Sequence, residues 1–435
     1  MPTVNQDNLK DSNYRDKGEG SNRDDIIHIS LINEDMLNYD ADFFQREDKD
    51  AYYRPYFYEF YAHSSSIDKN ALSFLMESQG KWMTGKFYSD EKPHNERGYT
   101  IPGDVFFSAS PFKIAGKYLT ITDKTVPVEV STKYLSTYDT SGAVVSPSST
   151  KYIEMSRIID ETMSSDDFIT RIYNVGQGNC VYIRTSENKR ILFDIGYNKN
   201  PGSSDWNDYH ITRSKFSIMH MKPHLNILSH WDMDHIIGVT FAQNNMFDHP
   251  WIAPNLNELS KISASAARLA KYLFWKNQLY LVDDSFLGNL VCSGRGFNLW
   301  RGIGRNNTAS PKHGLNKANN FGLIIELIGD NRMLLPGDCE YTMFPSRLNF
   351  STTRYNYLMV PHHCSKMERF SLARTLDSVN YAIISAGDNS YNPRHPYGDH
   401  MNQLKNVNYN ILQTIGNWGI EIPSINGSTG YKIII

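Results

Sequence analysis

From Asp166 onward the apolar positions fall in short, nearly continuous runs, and each run ends on a residue able to bind a metal. Residues 191–193 lead into Asp194, 225–228 into Ser229 and His230, 333–335 into Gly337 and Asp338, and 357–360 into His362 and His363. Unbroken apolar runs of this length read as buried strands. Strands of one sheet that deliver polar residues from their ends place them along one rim of a rigid scaffold. Residues 329–331, Gly-Asp-Asn between two apolar runs, predict a hairpin turn. Residues 236–244 and 259–279 predict helices, the second with a Lys and Arg face.

The first 165 residues are patterned differently. Residues 1–25 are Asn, Asp, Lys, Gly and Ser with almost no aliphatic side chains, which predicts a disordered tail. Between 26 and 165 the apolar segments are short. They predict a helix at 67–83, where Ile67, Ala71 and Leu75 recur at helical spacing, strands at 118–121 and 126–130, and a loop at 131–150. The aromatic run 52–61 predicts rings packing a β-rich core or an interdomain face, with a base-stacking platform as the alternative. The expected organisation is a tail (1–25), a smaller, partly β N-terminal domain of unassigned role (26–165) and an α/β domain (166–435).

Length agrees, since 435 residues suffice for two domains and a large core. A hydrophobic fraction of 40% and a charged fraction of 21% describe a soluble globular chain. There is no apolar run of bilayer length and no charged-then-apolar leader in residues 1–25, so a cytoplasmic location and no membrane partner are expected. Cys180, Cys292, Cys339 and Cys364 are scattered singly, which argues against a disulfide framework and against a thiolate zinc site. A net charge of -3 gives no broad footprint for nucleic acid, so any polyanion site must be a local patch.

The densest chemistry is His230-Trp-Asp232-Met-Asp234-His235, two imidazoles and two carboxylates on a predicted strand-to-helix turn. These are ligands for divalent metals, and such a turn can aim them into one cavity. Asp338 and His362 arrive from separate strand ends and supply what a paired-metal site needs, including a carboxylate able to bridge two ions. Alone, Asp338 would read as a turn residue after Gly337; beside the His-rich string it reads as a ligand.

These residues resemble the metallo-β-lactamase superfamily, in particular the branch typified by the hydrolase domain of the DNA-uptake protein ComEC. The resemblance lies in Val175-Gly-Gln-Gly178, Leu192-Phe-Asp-Ile-Gly196, Ser229-His-Trp-Asp-Met-Asp-His235 and Asn319-Asn-Phe-Gly-Leu-Ile-Ile325. It continues through Leu334-Leu-Pro-Gly-Asp338, Val360-Pro-His-His363 with Ser365-Lys366, and Ile384-Ser-Ala-Gly-Asp-Asn389 with His395-Pro396. It implies an αββα sandwich, two facing sheets with helices outside and two divalent metal ions, Zn or Mn, at one edge. It further implies that His230 and Asp232 hold the first ion, that Asp234, His235 and His362 hold the second, and that Asp338 bridges them. Asp194 would support the ligands, His363 could exchange roles with His362, and Asn389 and His395 resemble the family's late polar pair near the substrate.

Three positions depart from the superfamily pattern. Asp232 stands where His is usual, Asn319 and Asn320 occupy the region of a missing third-motif His, and Cys364 replaces a Gly. The first two make one site harder and more oxygen-rich. The mechanism expected from the resemblance is attack by a metal-bridged hydroxide on a phosphodiester, with Asp234 or Asp338 orienting the water and His395 donating to the leaving oxygen. A metal-dependent nuclease acting on nucleic acid is the leading expectation. The alternatives are a phosphodiesterase or esterase for a small molecule or lipid headgroup, and a non-catalytic metal-bound sensing module. For a nucleic acid, the expected phosphate-binding strip is Lys261, Arg268, Lys271 and Lys276 on the predicted helix, followed by Arg295, Arg301 and Arg305.

Overall fold

The computed structural model describes residues 2–4, 26–31, 58–77, 83–88, 98–102, 104–107, 113–114, 118–125, 139–197, 209–240, 242, 244–255, 263–304, 317–348, 353–367, 380–387, 394–426 and 430–434. The chain is mixed α/β with several sheets and divides into two compact units. One comprises Met1–Ser141, Leu256–Asn277 and Ser390–Asn392; the other comprises Gly142–Asn255, Gln278–Asn389 and Pro393–Ile435. Among the described residues no helix is long and apolar enough to cross a membrane.

In the first unit a five-stranded and a three-stranded sheet share one core, with Ile29 and Phe60 from the former and Ile101, Leu119 and Ile121 from the latter. Ile67, Ala71 and Leu75 are buried in that core, as their spacing requires. The helix that carries two of them is shorter than the predicted 67–83, running Lys69–Glu77 after Asp68 accepts from the Asn70 backbone N–H at 2.8 Å. Met83–Tyr88 is a strand, because its backbone pairs with Tyr118–Thr125. Pro2–Val4, in the supposed disordered tail, pairs antiparallel with Ile29–Leu31. A ladder of backbone hydrogen bonds does not require apolar side chains, so polarity misplaced these residues. Of the aromatic run, Tyr58–His63 is a strand with Phe60 fully buried; residues 52–57 and the predicted strand 126–130 lie outside the described residues.

The second unit holds a nine-stranded and a seven-stranded sheet. In the first, Phe168–Tyr173, Cys180–Thr185 and Arg190–Ile195 run antiparallel, and then Leu225–Ile227, Trp251–Pro254 and Leu279–Val282 continue in parallel. The second repeats this change of direction. Phe297–Arg301, Leu323–Ile328 and Arg332–Leu335 are antiparallel, whereas Tyr357–Met359, Tyr381–Ile384 and Asn410–Gln413 continue in parallel. The predicted hairpin at 329–331 is present, with the Gly329 N–H donating to the Asn331 carbonyl at 3.1 Å.

Phe168, Val181, Ile191 and Phe193 of one sheet share a buried cluster with Phe297, Leu299, Ile325 and Leu335 of the other. Ile324, Leu334 and Leu358 point the opposite way and pack with Leu404 of the helix Gly398–Asn406. The helix Thr150–Thr162 buries Met155 and Ile159 in the shared cluster, and the two-residue strand Val144–Val145 pairs with Leu279–Val282. The stretch 139–150, read as loop, thus contains a piece of sheet and a helix N-cap, Ser149, accepting from the Tyr152 N–H at 3.1 Å. The predicted helix 236–244 is broken into Met233–Ile236 and a 3-10 turn at Ile237–Thr240.

Candidate metal centre

In each sheet the candidate ligands come from the two strands that flank the change from antiparallel to parallel. Arg190–Ile195 and Leu225–Ile227 are parallel neighbours, so Asp194 and His230 emerge at the same rim. Arg332–Leu335 and Tyr357–Met359 are likewise parallel neighbours and deliver Asp338, His362 and His363. The crevice beyond the carboxyl ends of parallel strands, at a topological switch, is where such sheets bind ligands.

Asp194 organises the first rim. It is fully buried, with φ 57°, a left-handed conformation that costs a non-glycine residue about 1 kcal/mol or more. Its Oδ1 accepts from the Ser229 N–H at 2.7 Å, and its Oδ2 accepts from Ser229 Oγ at 2.8 Å and lies 2.8 Å from His235 Nδ1. Anchored there, the His235 ring turns its Nε2 toward Asp338 Oδ1, at 3.1 Å. His230 Nδ1 lies 3.0 Å from Ser229 Oγ, which leaves its Nε2 3.3 Å from Asp232 Oδ2 and 3.9 Å from Asp338 Oδ2. Asp232 occupies the N-cap position of Met233–Ile236 but makes no capping hydrogen bond with its side chain. Its carboxylate faces His230 instead of the helix end.

Two groups result: His230, His235 and Asp338, and Asp234, His235 and His363. Within each, one ligand atom from every residue lies within 4.8 Å of the others. His230 Nε2, His235 Nε2, His363 Nε2 and Asp338 Oδ1 are buried and make no aligned hydrogen bond, although they approach one another closely. Buried polar atoms left in this state are costly unless something else satisfies them. Imidazole nitrogens and carboxylate oxygens whose lone pairs converge on one point are satisfied by a divalent cation, so the residues fit the group that the motif implies.

The electrostatics agree. Burial, reinforced by neighbouring His235, pushes His230 down to about 4, leaving a neutral imidazole with a lone pair to give. Burial alone would also lower His235, but the Asp338 and Asp194 carboxylates outweigh it and hold its pKa well above the ordinary value. The same partnership, with His363 and His362, overcomes burial at Asp338 and holds its carboxyl well below the usual range. A bound cation would take over the charge that His235 carries here, with release of its proton.

The paired imidazoles are not equivalent. His362, His363 and Cys364 have φ of 48°, 51° and 62°, three consecutive left-handed residues. This turn sends His363 inward, 1% exposed, with its Nδ1–H donating to the Ser385 carbonyl at 2.7 Å and its Nε2 3.3 Å from Asp234 Oδ2. His362, the residue expected beside Asp234 and His235, is 31% exposed and stands outside both groups, its Nε2 3.7 Å from Asp338 Oδ2. His395 is buried with its ring 5.7 Å from that of His362. Asn389 lies outside the described residues. Asn319 is buried with Oδ1 unpartnered, while Asn320 Oδ1 accepts from the Glu340 N–H at 3.0 Å, two residues past Asp338.

Sequence reading missed His400. Its Nδ1–H donates to the Ser365 carbonyl at 2.9 Å and its Nε2 accepts from Tyr341 OH at 3.1 Å. It thereby ties the strained turn that carries His363 to the turn that follows Asp338. Burial pushes His400 down to about 4, keeping it in this neutral bridging form. Outer partners of this kind are worth about 10–100-fold in metal affinity. His400→Ala is therefore expected to weaken binding by that factor in competition with a chromophoric chelator, and Tyr341→Phe to weaken it less. Unchanged affinity in His400→Ala would show that the bridge has no hold on the site.

The predicted cationic strip is interrupted by burial at two of its positions, while Arg295 stays 68% exposed and Lys276 sits half-buried at the helix C-cap. Arg268 is 2% exposed and Arg301 is fully buried, its Nη2 3.2 Å from Asp284 Oδ1. Lys271 donates to the Asp139 carbonyl at 2.8 Å, and Arg295 is 3.3 Å from Asp166. Lys261 and Arg305 lie outside the described residues. The helix is Ala264–Trp275, and its apolar positions are numerous enough that an arginine is drawn in with them.

No family model and no curated protein matches the chain. Among solved structures it is similar to a mutant of the CmlA beta-hydroxylase, at 13% identity and a TM-score of 0.24 over 40% of this chain and 31% of that one. It is also similar to CmlA, a diiron beta-hydroxylase from Streptomyces venezuelae, at 14% identity and a TM-score of 0.22 over 39% and 29%. The match thus spans under a third of each of those chains, and overlaps of this size carry no argument about what the present chain does.

Proposed function

We propose that this chain is a two-metal hydrolase of the metallo-β-lactamase type that cleaves phosphodiester bonds, most directly as a nuclease. The observation that carries the reading is the convergence of three unpartnered imidazole nitrogens and one carboxylate oxygen, delivered by strand ends of two sheets that share a core. That core, with the helix Gly398–Asn406 packed on the far side of one sheet, supports an αββα sandwich. His230, Asp232 and Asp338 would hold one divalent ion, and Asp234, His235 and His363 the other, with Asp338 between them.

Bound cations would supply an activated water and neutralise charge on the non-bridging phosphate oxygens. The protein's share is orientation. Asp194 and the Ser385 carbonyl fix the tautomers of His235 and His363, so that both present Nε2 inward. His362, partly exposed beside Asp338 and backed by the buried His395, stands on the open side, where a hydrogen bond to a departing oxygen is needed. Asp232 adds an oxygen donor to the first group, which favours Mn over Zn there. A second reading, a diesterase for small molecules, draws support from the burial of Arg268 and Arg301, which takes both arginines out of the expected strip for a polyanion.

The test is reconstitution of metal-free protein with Mn, Zn or Mg against single- and double-stranded DNA, RNA and bis(para-nitrophenyl) phosphate. Hydrolysis is expected only with metal, and faster with Mn than with Zn. Cleavage of the chromogenic diester alone would select the small-molecule reading. Metal binding without hydrolysis of any diester would overturn both and leave a sensing module.

A further inference from the structure

The outer face of the nine-stranded sheet carries charges and rings that the metal chemistry does not use. Along Phe168–Tyr173, Phe168 and Ile172 enter the shared core, which leaves Arg171 and Tyr173 on the opposite face. The same alternation turns Tyr182 and Arg184 outward on Cys180–Thr185, and Arg190 outward on Arg190–Ile195. Register sets Arg171 across from Tyr182, and Arg184 across from Arg190. Tyr182 therefore shares this face with Arg171, directly across from it, and with Arg184 and Arg190.

One strand over, the Trp418 ring has the Arg213 guanidinium 4.1 Å from its centroid and that of Arg171 at 5.8 Å. Arg213 comes from the helix Tyr209–His220, and residues 209–222 contain Arg213, Lys215 and Lys222 but no Asp or Glu. Glu421 pairs with Arg171 at 2.5 Å and offsets one of these charges. A chain of net charge -3 thus gathers four arginines and Glu421 around Tyr173, Tyr182 and Trp418 on one face.

One end of the face is tied through buried backbone to the candidate metal centre. The Asn174 N–H donates to the Trp418 carbonyl at 2.9 Å, and five residues later the Asn179 N–H donates to the Asp234 carbonyl at 3.1 Å. The single loop 174–179 therefore joins the Trp418 end of the patch to a candidate ligand.

We propose that this face binds the backbone of single-stranded nucleic acid, a reading that rests on the nuclease function proposed above. Arg184, exposed on this face, offers guanidinium N–H donors to phosphate, and Tyr182 beside the arginines offers a π-face to a base. Charge complementarity selects a polyanion, and the interleaved rings select one that carries bases.

The experiment measures binding of a fluorescein-labelled DNA strand of roughly 16 nucleotides, the upper site size for a single-strand platform. Metal-loaded protein is used, with stopped-flow anisotropy in the cold, ahead of turnover, across a salt series. Arg184→Gln, at an exposed position, is expected to reduce the logarithmic salt slope by about 0.7, and Arg171→Gln/Arg184→Gln/Arg213→Gln by about 2. Turnover of bis(para-nitrophenyl) phosphate should be unchanged in both. If the triple variant melts early, Arg184→Gln and Arg190→Gln decide. An unchanged slope, with DNA cleavage intact in wild type, overturns the proposal and leaves the hydrolase standing. Reduced slopes in a protein that hydrolyses no diester support the surface and overturn the catalytic reading.

Discussion

Replacing Asp338 with asparagine is expected to abolish hydrolysis while leaving the metal-free fold intact. Asp338 faces every imidazole of the centre, with its oxygens between 3.1 and 3.9 Å from the Nε2 atoms of His230, His235, His362 and His363. Losing an outer partner costs about 10–100-fold in affinity or activity, and if Asp338 bridges two ions as proposed its loss should exceed about 100-fold. The asparagine keeps the shape but loses the charge that opposes the cations. In the metal-free protein Asp338 is 3% exposed with Oδ1 3.1 Å from His235 Nε2, so neutralising it removes a desolvated charge as well as a partner of His235. His235 loses the carboxylate that holds its proton and keeps Asp194, so the melting temperature without metal should fall while the fold stays cooperative. With metal, wild type gains about 4 kcal/mol at an ion concentration of about 1,000 times Kd, and the variant should lose this increment. Metal analysis after desalting, turnover, and melting with and without chelator check the three parts. Two retained ions and normal turnover would remove Asp338 from the centre.

The parts of this site legible in the sequence are those that depend on strand ends. Near-continuous apolar runs report burial on both faces, and a run that stops at Asp194, His230 or Asp338 reports where a chain leaves its sheet. Which imidazole turns inward was not legible, because it depends on three left-handed residues, and the Cys at 364 hides a conformation that glycine would have announced. His400 was invisible for another reason. It lies on a helix, and its partners Ser365 and Tyr341 are 35 and 59 residues away, with no periodicity linking them. The predicted strip was interrupted through tertiary override: its spacing was that of a solvated helix face, but packing buried Arg268. The arginines on the outer sheet face come from separate strands and a helix, so only pairing register brings them together.

Gly196→Ala is expected to destroy the centre through the backbone alone. Gly196 closes the Leu192–Gly196 motif, and an added Cβ would lie 1.9 Å from the Asp234 carbonyl oxygen and about as close to Asn179, 2.5 Å from its O and 2.6 Å from its N. All three are main-chain atoms, so no side-chain rotation can relieve the overlap. The Asn179 N–H donates to the Asp234 carbonyl and the Gly196 N–H to the Asn179 carbonyl, at 3.1 and 2.6 Å, so separating the segments also breaks both hydrogen bonds. Overpacking ordinarily costs about 1–3 kcal/mol, and an overlap of fixed backbone belongs at or beyond the top of that range. At about 2–4 °C per kcal/mol for a unit of this size, melting should fall by roughly 6–12 °C or more. Asp234 should be displaced from His363 as well, so metal affinity falls with stability. Gly398→Ala is the control: nothing lies within 4 Å of its Cβ position, and it opens the helix Gly398–Asn406, where alanine should be neutral or stabilising by about 0.5–1 kcal/mol. Equal melting temperatures for the two variants would show that the close approach of Gly196 to Asp234 does not hold the ligand in place.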